Sequence, residues 1–83
     1  MRLWIDNIEP GTDDEEIKSL VQKYAPELTC VSLVRVEGEG FLGALLRFSG
    51  GVITSLDDLC RRLSGVYWKR RPLFCCTIGI FER

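Results

Sequence analysis

Hydrophobic residues follow two spacings along this chain, and the changes between them predict six elements. Alternating apolar and polar residues are typical of strands, whereas apolar residues three and four positions apart are typical of helices. Turn-forming stretches such as Glu9-Pro10-Gly11 separate these patterns. The predicted elements are a strand at 3–8, a helix at 12–25, strands at 28–36 and 42–48, a helix from 54 or 55 to 64 and a strand at 72–80.

The stretch at 42–48 is the most informative because it is almost wholly apolar. Gly38 and Gly40 precede it, and Gly50 and Gly51 follow it. Such a short run is typical of a strand that is partly buried on both faces, since an ordinary helix is longer. A buried strand needs a neighbour on each side, so we expect this one at the centre of a sheet.

The first helix begins with residues that favour a helix N-terminus. Thr12 is a good N-cap, and Glu15 completes a capping box with it. The acidic stretch 13–16 lies where the helix dipole favours negative charge. We therefore interpret this stretch as capping and not as a metal or acid–base site. Pro26 ends the helix, and its buried stripe is predicted to be Ile17, Leu20, Val21 and Tyr24.

The second helix has the same kind of pattern. Asp57 and Asp58 lie near its start and Arg61 and Arg62 near its end, as the helix dipole prefers. Gly65 is the natural C-cap. Its buried stripe is predicted to be Leu56, Leu59, Cys60 and Leu63.

Alternation along the second strand predicts which of its side chains face the core. We expect Val34 and Val36 to face the core, and Leu33 and Arg35 to lie on the other side. The register near Cys30 is ambiguous, and a β-bulge there is one possibility.

The order strand, helix, strand, strand, helix, strand predicts an α+β fold, the ferredoxin-like βαββαβ sandwich. Residues 1–83 then form a single domain, with two helices on one face of a four-stranded antiparallel sheet. The other face of the sheet is left open, and an uncovered apolar face usually meets a partner. Its predicted residues are Trp4, Asp6, Leu33, Arg35, Phe41, Gly43, Leu45, Arg47, Phe74 and Cys76.

Charge narrows the choice of partner only slightly. The formal net charge is −1, so no strong overall field attracts a polyanion or a membrane. The distribution is uneven, because residues 1–40 carry four basic and nine acidic side chains, whereas residues 41–83 carry seven basic and three acidic ones. Uneven charge is common on a solvated surface, but it also fits one basic edge that meets a polyanion.

Other classes of function lack their usual residues. The four cysteines lie in apolar patterns without CxxC spacing, and histidine is absent, so we expect no metal site and no cofactor. We interpret the cysteines as buried or half-buried hydrophobic residues of a protein in the reducing cytoplasm. No stretch has the pattern of a signal peptide or a membrane span. No nucleophile–base pair, phosphate loop or small-molecule site is evident, so we do not expect an enzyme.

Two segments carry a resemblance to a known family. Leu3-Trp4-Ile5-Asp6-Asn7-Ile8 has the form apolar, aromatic, apolar, any, Asn, apolar, and residues 63–73 match the end of a second helix and the approach to a last strand. With the element order, they make the chain resemble an RNA recognition motif, or RRM. The eight-residue signature of that family, K/R-G-F/Y-G/A-F-V-x-F/Y, is matched only in part at 41–48. Gly43 and Leu45 occupy its two aromatic positions, and Phe41 its basic one.

The resemblance implies weak binding of single-stranded RNA on the open face, with modest sequence preference. Bases stack on aromatic side chains in this mode of recognition. Trp4 would stack one base and Phe41 or Phe74 would support a second. Arg35, Arg47 and the run Lys69-Arg70-Arg71 would hold phosphates, and the predicted contacts also include Asp6 and Leu45.

Two alternatives stay open at this point. The same face could bind a protein partner or a second copy of the chain, through Leu33, Leu45 and Phe74. The tail from Gly79 to Arg83 could fold across the sheet and cover Trp4.

Overall fold

The computed structural model describes residues 2–49 and 53–78 of the chain. Its elements are β1 (Arg2–Ile8), α1 (Asp14–Tyr24), β2 (Thr29–Gly38), β3 (Phe41–Ser49), α2 (Ile53–Leu63), β4 (Tyr67–Trp68), β5 (Arg71–Pro72) and β6 (Phe74–Ile78).

Four strands form an antiparallel sheet in the order β2-β3-β1-β6, and β4 and β5 form a separate two-stranded hairpin. Helices α1 and α2 pack against one face of the larger sheet. The predicted ferredoxin-like α+β fold is therefore confirmed. The prediction for 42–48 is also confirmed, because β3 pairs with β2 on one side and with β1 on the other.

The hydrophobic core lies between the helices and the sheet. Leu42, Ala44 and Leu46 of β3 are fully buried at its centre. Both helices bury the stripes that their spacing predicts, except that Tyr24 and Cys60 are only partly buried at the margin. The helix residues of the core are Ile17, Leu20, Val21, Leu56, Leu59 and Leu63.

The first helix begins one residue later than predicted. Its N-cap is Asp13, and Glu16 rather than Glu15 accepts a hydrogen bond from the cap backbone, at 3.0 Å from Asp13 N to Glu16 Oε1. Thr12 is buried and its hydroxyl donates to the Glu9 carbonyl oxygen at 2.6 Å. Because that hydroxyl closes the preceding turn, it is not used for the helix N-terminus.

The end of α2 agrees with the prediction. Gly65 follows the helix with φ at +86°, the left-handed conformation that glycine adopts without steric cost. The backbone N–H of Val66 donates to the Leu63 carbonyl, and that of Gly65 donates to the Leu73 carbonyl. These bonds connect the end of the helix to the start of the last strand.

The prediction for β2 is wrong about its faces. A register shift separates Cys30, which pairs with Phe48, from Ser32, which pairs with Arg47. One extra residue reverses the alternation of every later side chain. Leu33 therefore packs against the core, whereas Val34 lies on the open side. The bulge that the ambiguity near Cys30 allowed is present, and it inverts the rest of the strand.

The last strand is shorter than predicted. Arg71 and Pro72 belong to the hairpin with Tyr67 and Trp68, and β6 begins only at Phe74. The predicted positions 79 and 80 of this strand, and the tail to residue 83, lie outside the described residues.

Candidate functional site

The open face is the face of the larger sheet that α1 and α2 do not cover, and cross-strand pairing defines its members. Trp4 lies opposite Leu45 of β3 and Cys76 of β6, and Val34 lies opposite Leu45 from the other side. The remaining pairs follow the same alternation. The open face consists of Arg2, Trp4, Asp6, Ser32, Val34, Val36, Phe41, Gly43, Leu45, Arg47, Phe74, Cys76 and Ile78.

Trp4 lies across the sheet from β1 onto β3. A Cβ built on Gly43 would overlap with Cζ2 and Cη2 of the indole and would lie 3.3 Å from Cε2. The six-membered ring thus fills the space that a side chain at Gly43 would take. This contact gives the reason for glycine at a position where the family signature has an aromatic residue. The Trp4 side chain stays partly exposed.

Phe41 has a similar arrangement at the β2–β3 hairpin. Its ring occupies the space above Gly38, with which Phe41 pairs, because a Cβ there would overlap with Cε1 and lie 2.8 Å from Cδ1. Phe41 is 42 % exposed. A third ring, that of Phe74, is 56 % exposed at the β6 edge. The face therefore presents three aromatic rings, one each from β1, β3 and β6.

One carboxylate lies among these rings. Asp6 pairs with Phe74, and its Oδ1 accepts a hydrogen bond from the Asn7 backbone N–H at 2.8 Å. Within the described residues, Oδ2 has no hydrogen-bond or ion-pair partner.

The basic residues of the open face lie at its other end. Arg2 pairs with Arg47 across β1 and β3. Arg47 is exposed, and none of the residues described forms an ion pair or a hydrogen bond with it. This guanidinium is available to an anion.

Arg35 does not lie on the open face, contrary to the prediction. It pairs with Ala44, whose side chain is buried, and its guanidinium turns toward α1. Arg35 Nη1 is 2.8 Å from Asp14 Oδ1, and Nε is 2.9 Å from Glu37 Oε2. Hydrogen bonds to Asp14 and then Glu37 raise the pKa of the Arg35 guanidinium. The bulge in β2 is the cause of this placement, and it leaves Val34 on the open face, 55 % exposed.

The hairpin cations are engaged in the same way. Lys69 Nζ is 2.7 Å from Glu16 Oε2, and Arg71 Nε is 3.1 Å from Glu9 Oε1. The hydrogen bond from Lys69, together with that from the Asp13 backbone, lowers the pKa of Glu16. We call the four carboxylates that hold these cations and Arg35 the acidic rim: Glu9, Asp14, Glu16 and Glu37.

Arg70 is the exception in the hairpin. It is exposed, and the part of the chain that the structure describes offers it no ion pair. Lys69 and Arg70 form the two-residue loop with φ at +52° and +73°, as a type I′ turn requires. Left-handed backbone costs about 1–2 kcal/mol at each such residue. The ion pair of Lys69 with Glu16 and that of the flanking Arg71 with Glu9 connect this loop to α1 and to the turn after β1.

The aromatic residues of the hairpin contact α1 instead of the open face. Trp68 packs against the core, and Lys69 Nζ is 5.4 Å from the centroid of its ring. Tyr67 is 73 % exposed and lines a groove with Tyr24 and Lys23 of α1.

Asn7 lies at the junction between β1 and the following turn. It has φ at +64°, and its Nδ2 donates to the Pro72 carbonyl oxygen at 2.8 Å. This bond attaches the hairpin to the end of β1.

The two adjacent cysteines of β6 face opposite sides of the sheet. Cys75 pairs with Ile5 on the covered side, where burial raises the pKa of its thiol to about 12. Cys76 pairs with Trp4 and is exposed on the open face, so the expectation that every cysteine is buried or half-buried is wrong for it. All four cysteines are free thiols.

The described ranges 2–49 and 53–78 contain neither a cluster of metal-ligating residues nor a helix that could cross a membrane. No group of three or more Cys, Asp or Glu residues there is arranged to hold a metal ion. Of the two helices described, neither has the length and apolar character needed to cross a membrane.

The sequence prediction missed Arg2, Ser32, Val34, Val36 and Ile78 as members of the open face. The placement of Arg35 had one signal in the sequence: it is the basic residue of β2, and on the helix side of the sheet it can pair with the acidic residues at 13–16. The contact between Trp4 and Gly43 left no comparable signal, since it joins positions far apart in the chain.

Comparison with solved structures supports the fold. No family model matches the chain, and no curated protein matches it. Several solved structures are similar to it, and three of them are described here. The structure of Pes4 RRM3 has a TM-score of 0.77 at 13 % identity, covering 99 % of this chain and 95 % of that one. The RRM3 domain of Mip6 has a TM-score of 0.73 at 12 % identity, covering 92 % and 90 %.

The third structure is the RRM of Rna15 with bound RNA (GU). Its TM-score is 0.74 at 16 % identity, covering 99 % of this chain and 86 % of that one. The fold of this chain is therefore the fold of the RNA recognition motif, as the first-strand signature led us to expect.

Proposed function

We propose that this domain binds single-stranded RNA through its open face. The observation that carries this proposal is the indole of Trp4, held over Gly43 and partly exposed at the middle of the face. An aromatic ring fixed on a flat sheet is a stacking surface for an unpaired base. The exposed rings of Phe41 and Phe74 lie on the same face and provide two further surfaces.

The comparisons support the same proposal. The fold is that of the RRM, and one of the similar structures was solved with RNA bound to it. The RRM signature has two stacking aromatic residues on its third strand. Gly43 and Leu45 occupy those positions here, and neither has a ring. Weak binding with modest sequence preference follows from that loss.

For its phosphate contacts the proposal uses the arginines that are exposed and not already paired with carboxylates. Arg47 on the open face and Arg70 in the hairpin are exposed. Neither forms an ion pair with the residues that the structure describes. Arg35, Lys69 and Arg71 are already paired with carboxylates of the acidic rim. A protein that neutralises few phosphates has a shallow salt dependence. We therefore expect binding to weaken only moderately between 50 and about 200 mM salt.

The test is an amide chemical-shift titration with short single-stranded RNAs, followed by Trp4→Ala. Stacking of one base is worth about 1–3 kcal/mol, so we expect Trp4→Ala to weaken binding about tenfold or more. Tyr67→Ala is the matched control, because Tyr67 is a more exposed aromatic residue that lies away from the open face. Circular dichroism of each variant checks the fold.

Two results would contradict the proposal. One is that Trp4→Ala binds RNA as tightly as the unchanged protein. The other is a set of shifts that avoids Trp4, Leu45 and Phe74 and clusters on the hairpin or the helices.

A second candidate function is binding of a protein, and one observation favours it. Val34 and Val36 are 55 % and 44 % exposed, so the β2 side of the open face is more apolar than predicted. Leu33, one of the residues predicted for self-association, lies on the covered side and cannot take part.

An apolar self-contact holds or strengthens as a salting-out salt such as sulfate is added. Light scattering across a dilution series tests it, and a constant monomer mass would exclude self-association over that range.

A further inference from the structure

We propose that Asp6 makes the open face select guanine at the position next to Trp4. This inference rests on the proposed function, since it names which base the RNA site prefers. The observation behind it is that Asp6 places a carboxylate on the face that we propose binds RNA, a polyanion.

Asp6 lies between two of the exposed rings. Trp4 is two residues earlier on the same face of β1, about 7 Å away along the strand. Phe74 is directly opposite on β6. A base that stacks on either ring therefore brings its edge within reach of the carboxylate.

The carboxylate has capacity for a further hydrogen bond. Oδ1 accepts from the Asn7 backbone N–H at 2.8 Å, which fixes the orientation of the group. In the described parts of the chain, nothing donates to Oδ2 and nothing forms an ion pair with Asp6. Each carboxylate oxygen accepts two hydrogen bonds, so Oδ1 also retains a free lone pair.

The charges of the face separate phosphate from base. Arg2 and Arg47 lie opposite each other, four residues along β1 from Asp6, about 13 Å away. Phosphates are attracted to that end and repelled by Asp6. Because a carboxylate repels phosphate, a nucleotide beside Asp6 presents its base edge to it, and the phosphate on this side lies toward Arg70, in the hairpin that Asn7 attaches to the end of β1.

Base chemistry determines the preference. An ionised carboxylate accepts hydrogen bonds and does not donate them. Guanine offers two adjacent donors, N1–H and N2–H, which match the two oxygens. Cytosine and adenine offer one amino group beside an acceptor nitrogen, and uracil offers one N–H between two carbonyl oxygens. The acceptors of those three bases would face the carboxylate, so guanine is favoured over each of them.

The experiment compares labelled hexamers by fluorescence anisotropy with the full chain. The hexamers are UUGUUU, UUIUUU with inosine, and UUUUUU. Inosine lacks only the N2 amino group of guanine. A good bidentate contact discriminates by about tenfold, so we expect the guanine hexamer to bind about tenfold more tightly than the uridine hexamer. The inosine hexamer should bind with intermediate affinity.

Asp6→Asn tests the residue itself. The asparagine oxygen can still accept from the Asn7 N–H, so the fold is expected to persist. Its amide presents one donor and one acceptor, so it cannot accept from N1–H and N2–H of guanine at the same time. We expect the variant to bind the guanine hexamer about tenfold less tightly. Its affinity for the uridine hexamer should be equal or higher. Glu27→Gln, in the loop between α1 and β2, removes a charge elsewhere and should leave the order of the three hexamers unchanged.

The outcomes separate this inference from the function it rests on. If no hexamer binds, RNA binding itself is overturned. If all three bind equally to the unchanged protein, the domain binds RNA but Asp6 does not select guanine. An Asp6→Asn variant that gains or loses the same factor for every hexamer also overturns the selection, because it shows only a charge effect.

Discussion

Arg47 and Arg35 lie on neighbouring strands, yet their surroundings are opposite. Arg47 is on the open face and has no partner among the described residues. Arg35 turns toward the acidic rim and contacts Asp14, Glu37 and the Thr12 carbonyl oxygen, the last at 2.7 Å. Both were predicted to hold phosphates. The difference shows that the face of the strand, more than the residue type, decides what an arginine is available for.

The aromatic residues of the open face and the basic residues beside the acidic rim differ in the same way as Arg47 and Arg35. The open face holds the rings of Trp4 and Phe41 over glycines and leaves them partly exposed. The acidic rim instead neutralises most of the basic residues beside it, including Lys69 and Arg71. RNA affinity should therefore depend on stacking first and on charge second.

The largest effect that tests this contrast is expected at Gly43. In Gly43→Ala the new methyl group overlaps with the indole of Trp4, which is partly buried and contacts the sheet. Overpacking of this kind costs about 1–3 kcal/mol. Moving the ring off its position should also weaken RNA binding. Thermal unfolding and RNA titration of the variant measure the two effects.

Gly38→Ala is the matched comparison. Its methyl group meets the ring of Phe41, which is 42 % exposed and can rotate into solvent. We expect a smaller loss of stability than at Gly43 and little change in RNA affinity. Equal losses of stability and RNA affinity in the two variants would mean that Trp4 is held no more firmly than Phe41. That result would contradict the proposal that a base stacks on a fixed indole.

A smaller effect is expected from the two arginines. Each phosphate contact contributes about 0.7 to the slope of log K against log salt for a single strand. Arg47→Ala should reduce the magnitude of that slope by about 0.7 and weaken binding several-fold at low salt. Arg35→Ala should leave the slope unchanged and lower the thermal midpoint, because it removes contacts with Asp14 and Glu37. The reverse pattern would place the phosphates at the acidic rim.

Much of the open face was predictable because strand alternation is a local property. In β1, β3 and β6 the period of two assigns Trp4, Leu45, Arg47 and Phe74 without knowledge of the tertiary structure. In β2 one bulged residue reversed the assignment. A bulge depends on how the strand pairs with its neighbour, so the strand's own sequence indicated that a bulge was possible but did not determine the faces.

The roles of the hairpin cations were not predictable for a different reason. Lys69 is bonded to Glu16 and Arg71 to Glu9, at opposite ends of the chain. A run of three basic residues next to aromatic ones is typical both of nucleic-acid contacts and of cations paired with carboxylates. Only the tertiary structure distinguishes Lys69, which is paired with Glu16, from Arg70, which forms no ion pair with the residues described.

The smallest effect concerns pH and the ion pair between Lys69 and Glu16. The hydrogen bond from Lys69 is the main reason that the pKa of Glu16 lies below its ordinary value of 4.5. A carboxyl group whose pKa is lowered by folding stabilises the folded state above its unfolded pKa, and that contribution is lost as pH falls through the folded value. Glu16→Gln should therefore lower the thermal midpoint at pH 7 but have little effect well below pH 4.5.

Thermal unfolding of both proteins at pH 7 and at about pH 3 makes this comparison. Glu15→Gln is the control, since Glu15 is exposed and its contact with Lys18 is long, at 3.9 Å. A difference between Glu16→Gln and the unchanged protein that persists at low pH would show that Glu16 acts by packing, not by charge.

If the ion pair does hold the Lys69–Arg70 turn, Glu16→Gln should also broaden the amide signals of Lys69 and Arg70 at pH 7 while those of Trp4 and Leu45 stay sharp. That result would separate the acidic rim from the open face as two independently held parts of the fold.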